Sequence, residues 1–450
     1  MTLWGVPALR LADLVRAGKV SPLEVVRAHL DRIAAAEPVL RTFQALRADE
    51  AEHDAEALGA RHDLPELPLA GVPVTVKDNV DVAGLPTRLG SRATSEQPAA
   101  VDDELVRRLR NAGCVVLGKA TMPELGIWAH TESALAGATR NPWRPELTSG
   151  GSSGGAAAAV AAGMAPLALA SDGGGSIRIP SAMCGVFGLK PGTAVVPLPG
   201  SAAEHWYGLS AFGPITSSVP DAAAMLDALS NPAARPAPLE PPHMRLRVGA
   251  STRSPIPGIA AQRELREAVD TTCQLLAAAG HEIDMADPPY PMLLGMQWTR
   301  HWLAGIAADA GSLPRDRLEP LTRRVRALGS RLRPDRDAAQ RWRGAMVDWF
   351  ESRDLLVMPV IAGRMPAAGW LRMGLGATYL RHLRSVPFTQ AWNLAGLPAA
   401  SLPAGLDSEG LPLSVQLVGP PGSERRLLEV AFEIETARPW PRLAPLAHLR

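Results

Sequence analysis

The sequence predicts an α/β fold with a mainly parallel central sheet. Three observations predict it. Short apolar or β-branched runs at 69–78, 113–118, 167–170 and 245–249 read as strands. Helical patterns at 102–112, 156–163 and 260–279 alternate with them, as strand–helix–strand units require. The chain of 450 residues is 46% hydrophobic and 20% charged, so it can bury the core of a large α/β fold.

Residues 8–36 read as two helices. Ser21-Pro22-Leu23-Glu24 is a capping box with proline at the first helical position. Val26, Leu30 and Ile33 then fall on one apolar face. Residues 41–58 read as a further helix. Leu69 through Asp78 is a valine-rich strand that runs to Lys77, and 113–118 is a second short strand. The alanine-rich stretch 156–163 reads as a tightly packed helix, and 167–170 as the strand leading out of it. Beyond a proline-rich linker at 231–243, a strand at 245–249, a helix at 260–279 and a strand at 281–284 continue the alternation. Residues 291–352 carry Trp298, Trp302, Trp342 and Trp349 and read as helices over the core that could wall a pocket. Residues 353–435 return to short strands, among them 355–359 and 413–418.

The composition narrows the function. A formal net charge of +1 builds no field for nucleic acid or an anionic membrane, so a small molecule is the expected partner. Cys114, Cys184 and Cys273 make no C-x-x-C pair, which argues against a disulfide framework or a zinc site and fits a reducing compartment. Arg10, Asp13 and Arg16 interrupt any apolar leader, and 156–170 is too short to span a bilayer. The expectation is a cytoplasmic protein without cofactor or metal, monomeric or homodimeric.

Two glycine clusters carry the chemistry. Gly150-Gly151-Ser152-Ser153-Gly154-Gly155 and Asp172-Gly173-Gly174-Gly175-Ser176-Ile177-Arg178 place Ser152 and Ser176 24 residues apart. A serine among glycines is a candidate nucleophile with bare amide N–H groups around it. It needs a base to take its proton. Only four lysines occur, Lys19, Lys77, Lys119 and Lys190, against 42 arginines. Lysine survives where arginine cannot serve, because only lysine loses its proton near neutral pH. Lys77 ends an apolar strand, where burial lowers the pKa of an ammonium. Lys77, Ser152 and Ser176 therefore form the candidate catalytic set, and the N–H groups of Gly173, Gly174, Gly175 and Ser176 the candidate oxyanion hole.

Two familiar patterns fail. Gly113 to Lys119 has P-loop spacing, but Ala120 stands where Ser or Thr must meet magnesium. Gly151 to Gly155 satisfies G-x-S-x-G, but no apolar strand precedes it. His205 and His281 have no sequence link to either serine.

At these residues the chain resembles the amidase signature family. Lys77, the 150–155 cluster and the 172–180 segment carry the resemblance. Supporting segments are Gly118-Lys119-Ala120-Thr121-Met122-Pro123-Glu124, Asn141-Pro142-Trp143 and Gly185 through Pro191. Asn393-Leu394-Ala395-Gly396-Leu397-Pro398 and Val415-Gln416-Leu417-Val418-Gly419 extend it towards the C-terminus.

The resemblance implies one domain over 1–450, with a catalytic core at about 60–220, a cap-like region at about 291–352 and a core return at about 353–435. It implies a large mixed sheet flanked by helices on both faces. It makes Ser176 the nucleophile, Ser152 the bridging serine after a cis peptide bond, and Lys77 the base. Asp172 and Arg178 would brace the nucleophile loop, and Ser153 would hydrogen-bond within the site. Lys119 and Lys190 would be structural. Gly126, Ile127, Trp128 and His130 would contact substrate. Gly173 departs from the pattern, standing where isoleucine or threonine is usual. The implied activity is hydrolysis of small apolar or aryl amides, with carbamates and esters in range. The alternative is the glutaminase subunit of a tRNA-dependent amidotransferase, for which Arg364 lies near the expected charged pocket.

Overall fold

The computed structural model describes residues 2–230, 238–363, 367–369 and 374–445. Most of the proline-rich linker, 231–237, and Arg364 lie outside them. Among the described residues thirteen strands occur in chain order: β1 (Phe43–Leu46), β2 (Pro73–Lys77), β3 (Val115–Ala120), β4 (Glu132–Ser133), β5 (Gly137–Ala138), β6 (Leu167–Asp172), β7 (Phe187–Lys190), β8 (Ala211–Thr216), β9 (Arg247–Ala250), β10 (Glu282–Met285), β11 (Leu355–Pro359), β12 (Ala399–Leu406) and β13 (Pro412–Val418).

Eleven of them form one sheet in the order β1-β3-β2-β6-β8-β7-β12-β13-β11-β9-β10, and β4 and β5 make a separate hairpin. The sheet is mixed, as the resemblance implied. Its parallel pairings form two blocks, β3-β2-β6 and β11-β9-β10. Antiparallel ladders join the blocks through β8, β7, β12 and β13 and add β1 at the edge. The N-terminal and C-terminal halves meet where Ala399 of β12 pairs with Lys190 of β7.

Side chains alternate across a strand, and both faces of this sheet are covered. On β6, Leu167 and Leu169 join the large core with Met225 and Leu229 of the helix Val219–Ser230. Ala168 and Ala170 point the other way, onto Ala156, Ala157 and Ala158 of the helix Gly154–Ala161. Every residue of that helix is buried, which explains its run of alanines. A third cluster packs the C-terminal half, around Trp302, Trp342 and Trp392. The three cysteines are buried and form no disulfide.

The first helices stand where the sequence places them, as Ala8–Arg16 and Pro22–Leu40. Ser21 and Glu24 form the expected capping box, a contribution of about 1 kcal/mol in a typical helix. The helix expected over 41–58 begins later, as Ala48–Gly59. Arg41 enters the left-handed region at φ 53°, which ends the preceding helix. The Glu37 carboxylate then accepts the N–H groups of Thr42 and Phe43, and β1 pairs antiparallel with β3. Long-range pairing overrides local helical preference there. Three helices, Leu294–Asp309, Pro320–Gly329 and Arg336–Phe350, occupy the tryptophan-rich region.

Candidate active site

β2 and β6 run parallel and adjacent, with Val76 opposite Leu169, so their C-terminal ends emerge side by side. Ligands of α/β sheets gather outside such strand ends. β2 delivers Lys77 there, and β6 delivers Ser171 and Asp172. The first glycine cluster approaches from the start of the helix Gly154–Ala161.

Lys77 is almost wholly buried. Its Nζ lies 2.7 Å from Ser152 Oγ, 2.9 Å from Ser171 Oγ and 3.4 Å from the Ser171 carbonyl oxygen. Asn79 Nδ2 donates to the same Ser171 hydroxyl at 3.0 Å. Burial lowers the Lys77 pKa to about 7, against a smaller opposing pull from the Asp172 charge. The Gly151–Ser152 peptide is cis. A Cβ on Gly151 would stand 2.7 Å from the His130 backbone, so only glycine admits this approach. Ser153 ties the two clusters together. Its N–H donates to the Ser176 carbonyl at 3.2 Å and its hydroxyl to the Ser171 carbonyl at 3.1 Å.

Asp172 and Arg178 are fully buried and paired. Arg178 Nε and Nη2 each reach an Asp172 oxygen at 3.0 Å. Its other donors go to the Thr389 carbonyl at 3.0 Å, Gln416 Oε1 at 2.6 Å and Asn393 Oδ1 at 2.6 Å. All five guanidinium N–H groups are thereby used, as a buried arginine requires. Burial opposes the Asp172 charge, but Arg178 prevails and holds the carboxyl well below the usual carboxylate range. The carboxylate also accepts Asn393 Nδ2 at 2.8 Å, and the backbone N–H groups of Gly175 at 2.6 Å and Ile177 at 3.1 Å. One expected oxyanion donor is corrected by this bond. The Gly175 N–H is spent on Asp172, which leaves Gly173, Gly174 and Ser176.

Two cavities meet at Ser176, Gly126 and Trp206. The larger, about 240 Å³, also holds Lys77, Ser152, His205 and Asp309. The smaller, about 50 Å³, is lined by Ile127, Trp128, Trp298, Trp302, Tyr379 and His382 among others. Of the residues expected to contact substrate, Gly126, Ile127 and Trp128 line the small cavity. His130 does not line either cavity and is corrected. Its Nδ1 pairs with His382 Nε2 at 3.1 Å, and its ring stacks behind His382 at 5.2 Å. Burial brings the His382 pKa down to about 4 and pushes His130 well below its ordinary value. Both rings are neutral at pH 7 and extend the aromatic wall.

Of the four tryptophans at 298–349, Trp298 and Trp302 line the small cavity, Trp342 packs against Trp392, and Trp349 stacks under Arg353. Gly173 finds its explanation here. A Cβ on it would come within 2.7 Å of the Trp206 ring, so the indole occupies the space of a larger side chain. Trp298 covers Gly174 in the same way and donates its Nε1–H to the Gly173 carbonyl at 3.0 Å.

Lys119 stands away from this set, paired with Asp78 at 3.3 Å and bonded to Thr87. Lys190 donates to the Pro191 carbonyl at 2.8 Å. His281 pairs with Glu433 far along the chain. His205 does line the large cavity, but its partners are Ser210 and Asp309 rather than Ser152 or Ser176. Ser171, Asn79, Thr389, Asn393 and Gln416 were not anticipated in the site. Asn393 and Gln416 had a signal, since both fall in segments that carried the resemblance. Among the described residues no helix is long and apolar enough to cross a membrane, and no group of three or more His, Cys, Asp or Glu could hold a metal ion.

Comparison with known proteins identifies the family. The Amidase family model matches residues 24–428. The protein named "Putative amidase AmiB2" from Mycobacterium tuberculosis (strain ATCC 25618 / H37Rv) is 42% identical over 455 residues, covering 96% of each chain. A structure of 6-aminohexanoate cyclic dimer hydrolase with substrate superposes at a TM-score of 0.90, with 30% identity and 100% of both chains covered. A bacterial aryl acylamidase of the amidase signature enzymes superposes at 0.87, with 25% identity and 99% of both chains covered. Fold and sequence agree over nearly the whole length, and the chain belongs to the amidase signature family.

Proposed function

We propose that this amidohydrolase cleaves small apolar or aryl amides through a Ser176 acyl-enzyme, with Ser152 and Lys77 as its proton relay. The buried Lys77 Nζ, 2.7 Å from Ser152 Oγ at the cavity that Ser176 lines, carries the reading. Neutral Lys77 accepts the Ser152 proton while Ser152 accepts that of Ser176, and Ser176 Oγ bonds to the substrate carbonyl carbon. The N–H groups of Gly173, Gly174 and Ser176 receive the oxyanion, each such donor being worth about 3 kcal/mol in the transition state. The C–N bond then breaks, and the proton returns from Lys77 through Ser152 to the leaving amine. Water attacks the ester by the same relay and frees Ser176. Asp172, Arg178 and Ser153 hold the loop without touching substrate.

The leaving amine must face its proton donor, which places it in the large cavity beside Lys77 and Ser152. The acyl group then fills the aromatic cavity of Gly126, Ile127 and Trp128. Carbamates and esters form similar oxyanions and fall within reach. The sheet running through both chain halves supports reading 1–450 as a single catalytic domain. The glutaminase reading finds less support. The acyl cavity offers neutral aromatic rings where the charged ends of free glutamine need partners.

Turnover of aryl amides, aryl carbamates, aryl esters and glutamine by the purified chain alone tests this. Release of amine or alcohol from the aryl substrates, without a partner protein, is expected. Turnover of glutamine alone, or activity only with added subunits, would contradict it.

A further inference from the structure

Among the described residues, one carboxylate side chain lines the large cavity. Asp309, at the end of the helix Leu294–Asp309, presents its carboxylate there. Asp309 Oδ2 accepts Trp206 Nε1 at 2.7 Å and His205 Nε2 at 3.2 Å. Because the carboxylate only accepts, His205 carries a proton on Nε2, while Nδ1 pairs with the Ser210 hydroxyl at 2.7 Å. Among the described residues no lysine or arginine pairs with Asp309, and the second carboxylate oxygen has no donor. The carboxylate is half-buried, so it is not fully hydrated.

The chain goes to some trouble to hold this wall. Trp206 and Tyr207 both adopt left-handed backbone angles, φ 48° and 54°, a region that costs a non-glycine residue about 1 kcal/mol or more. Glu204 beside them is tied to Arg336, whose guanidinium also stacks over Tyr207. The strained turn sets His205 and Trp206 against Asp309. Beyond His205 and Ser210 the cavity continues into a further space of about 280 Å³.

We infer that Asp309, oriented by His205 and Trp206, is a specificity-determining subsite for a leaving amine that bears a second, protonated nitrogen. The inference rests on the proposed reaction, because that reaction puts the leaving group in this cavity. The preferred substrate joins an apolar or aryl acyl group to a diamine-like leaving group. Its ammonium meets the unmatched carboxylate oxygen while its amide meets Ser176.

Benzoyl amides of α,ω-diamines with two to six methylenes, each paired with the n-alkyl amide in which methyl replaces ammonium, supply the test. The readout is the ratio of kcat/KM within each pair for the wild type and for Asp309→Asn. A charge-assisted hydrogen bond favours the ammonium partner at the best length by roughly 10-fold or more. Asp309→Asn keeps an acceptor for Trp206 and His205 but removes the charge, and the ratio falls towards one. Asp309→Glu recovers part of the ratio, with its optimum at a shorter diamine. No preference in the wild type, or a ratio unchanged in Asp309→Asn, overturns the inference. Calorimetric binding of the same pairs to Ser176→Ala protein reads the preference without chemistry. Absent turnover with retained ammonium preference defeats the proposed reaction but not the subsite. Turnover without preference defeats the subsite alone.

Discussion

The pH dependence of the acylation step follows from where Lys77 sits. An exposed lysine titrates near 10.5, and burial brings Lys77 down to about 7. The difference corresponds to about 5 kcal/mol against the charged form. Its catalytic meaning is a population. At pH 7 about half of Lys77 is neutral and able to accept a proton, against roughly one molecule in 3,000 for an unperturbed lysine. The free-enzyme profile of kcat/KM, measured from pH 5 to 9 on a neutral aryl amide, should climb about tenfold per pH unit and level off above about pH 7. The direction is fixed, since the base works deprotonated and activity is lost as pH falls. Lys77→Ala should abolish this acid limb and reduce kcat by roughly 10²–10⁴-fold, the usual contribution of a positioned base. His205 lines the same cavity, so the midpoint is also measured in His205→Gln, where it should stay. A flat profile, a midpoint near 10, or a limb that moves with His205 and survives Lys77→Ala would refute the reasoning.

Two further substitutions probe the surroundings. Gly173→Val places carbon where the Trp206 ring lies, so it should displace the indole and raise KM strongly. Coupling to Trp206→Ala in a double-mutant cycle is expected, and strict additivity would remove the contact from the account. Lys190→Met should raise the melting temperature, most of all at low pH. Burial and the nearby Arg178 charge bring the Lys190 pKa down to about 7. Below about pH 7 the folded protein therefore bears the whole cost of a charged, buried Lys190. As pH rises towards 10.5 the unfolded chain also loses this proton and the cost disappears. The stability gain of the variant should shrink across that window, and a gain that grows with pH would contradict it.

Much of this site was legible in residue types alone. Lys77 stood out because the chain replaces lysine by arginine almost everywhere else. Ser152 and Ser176 stood out because glycine surrounds them. The strands carrying Lys77 and Asp172 read correctly because their apolar runs are short and end at polar residues. The edge strand β1 did not, because its pairing with β3 depends on residues more than 70 positions away. The spent Gly175 N–H was also invisible, since sequence gives no direction to an amide. Trp206, Asp309 and His382 come from separate segments and meet only after folding, so no local pattern announces the cavities. His130 was misplaced by one layer, since a polar ring beside Trp128 reads the same whether it faces substrate or stands behind the wall.

The central claim is that Ser176 forms the covalent bond and that Lys77, through Ser152, activates it. Labelling with an arylsulfonyl fluoride at pH 7.5, mapped by peptide mass spectrometry alongside residual activity, tests it most directly. The account predicts a single adduct on Ser176 that forms in step with loss of activity, more slowly in Lys77→Ala and Ser152→Ala. Inactivation with the adduct on another residue, or full activity in Ser176→Ala, would contradict it.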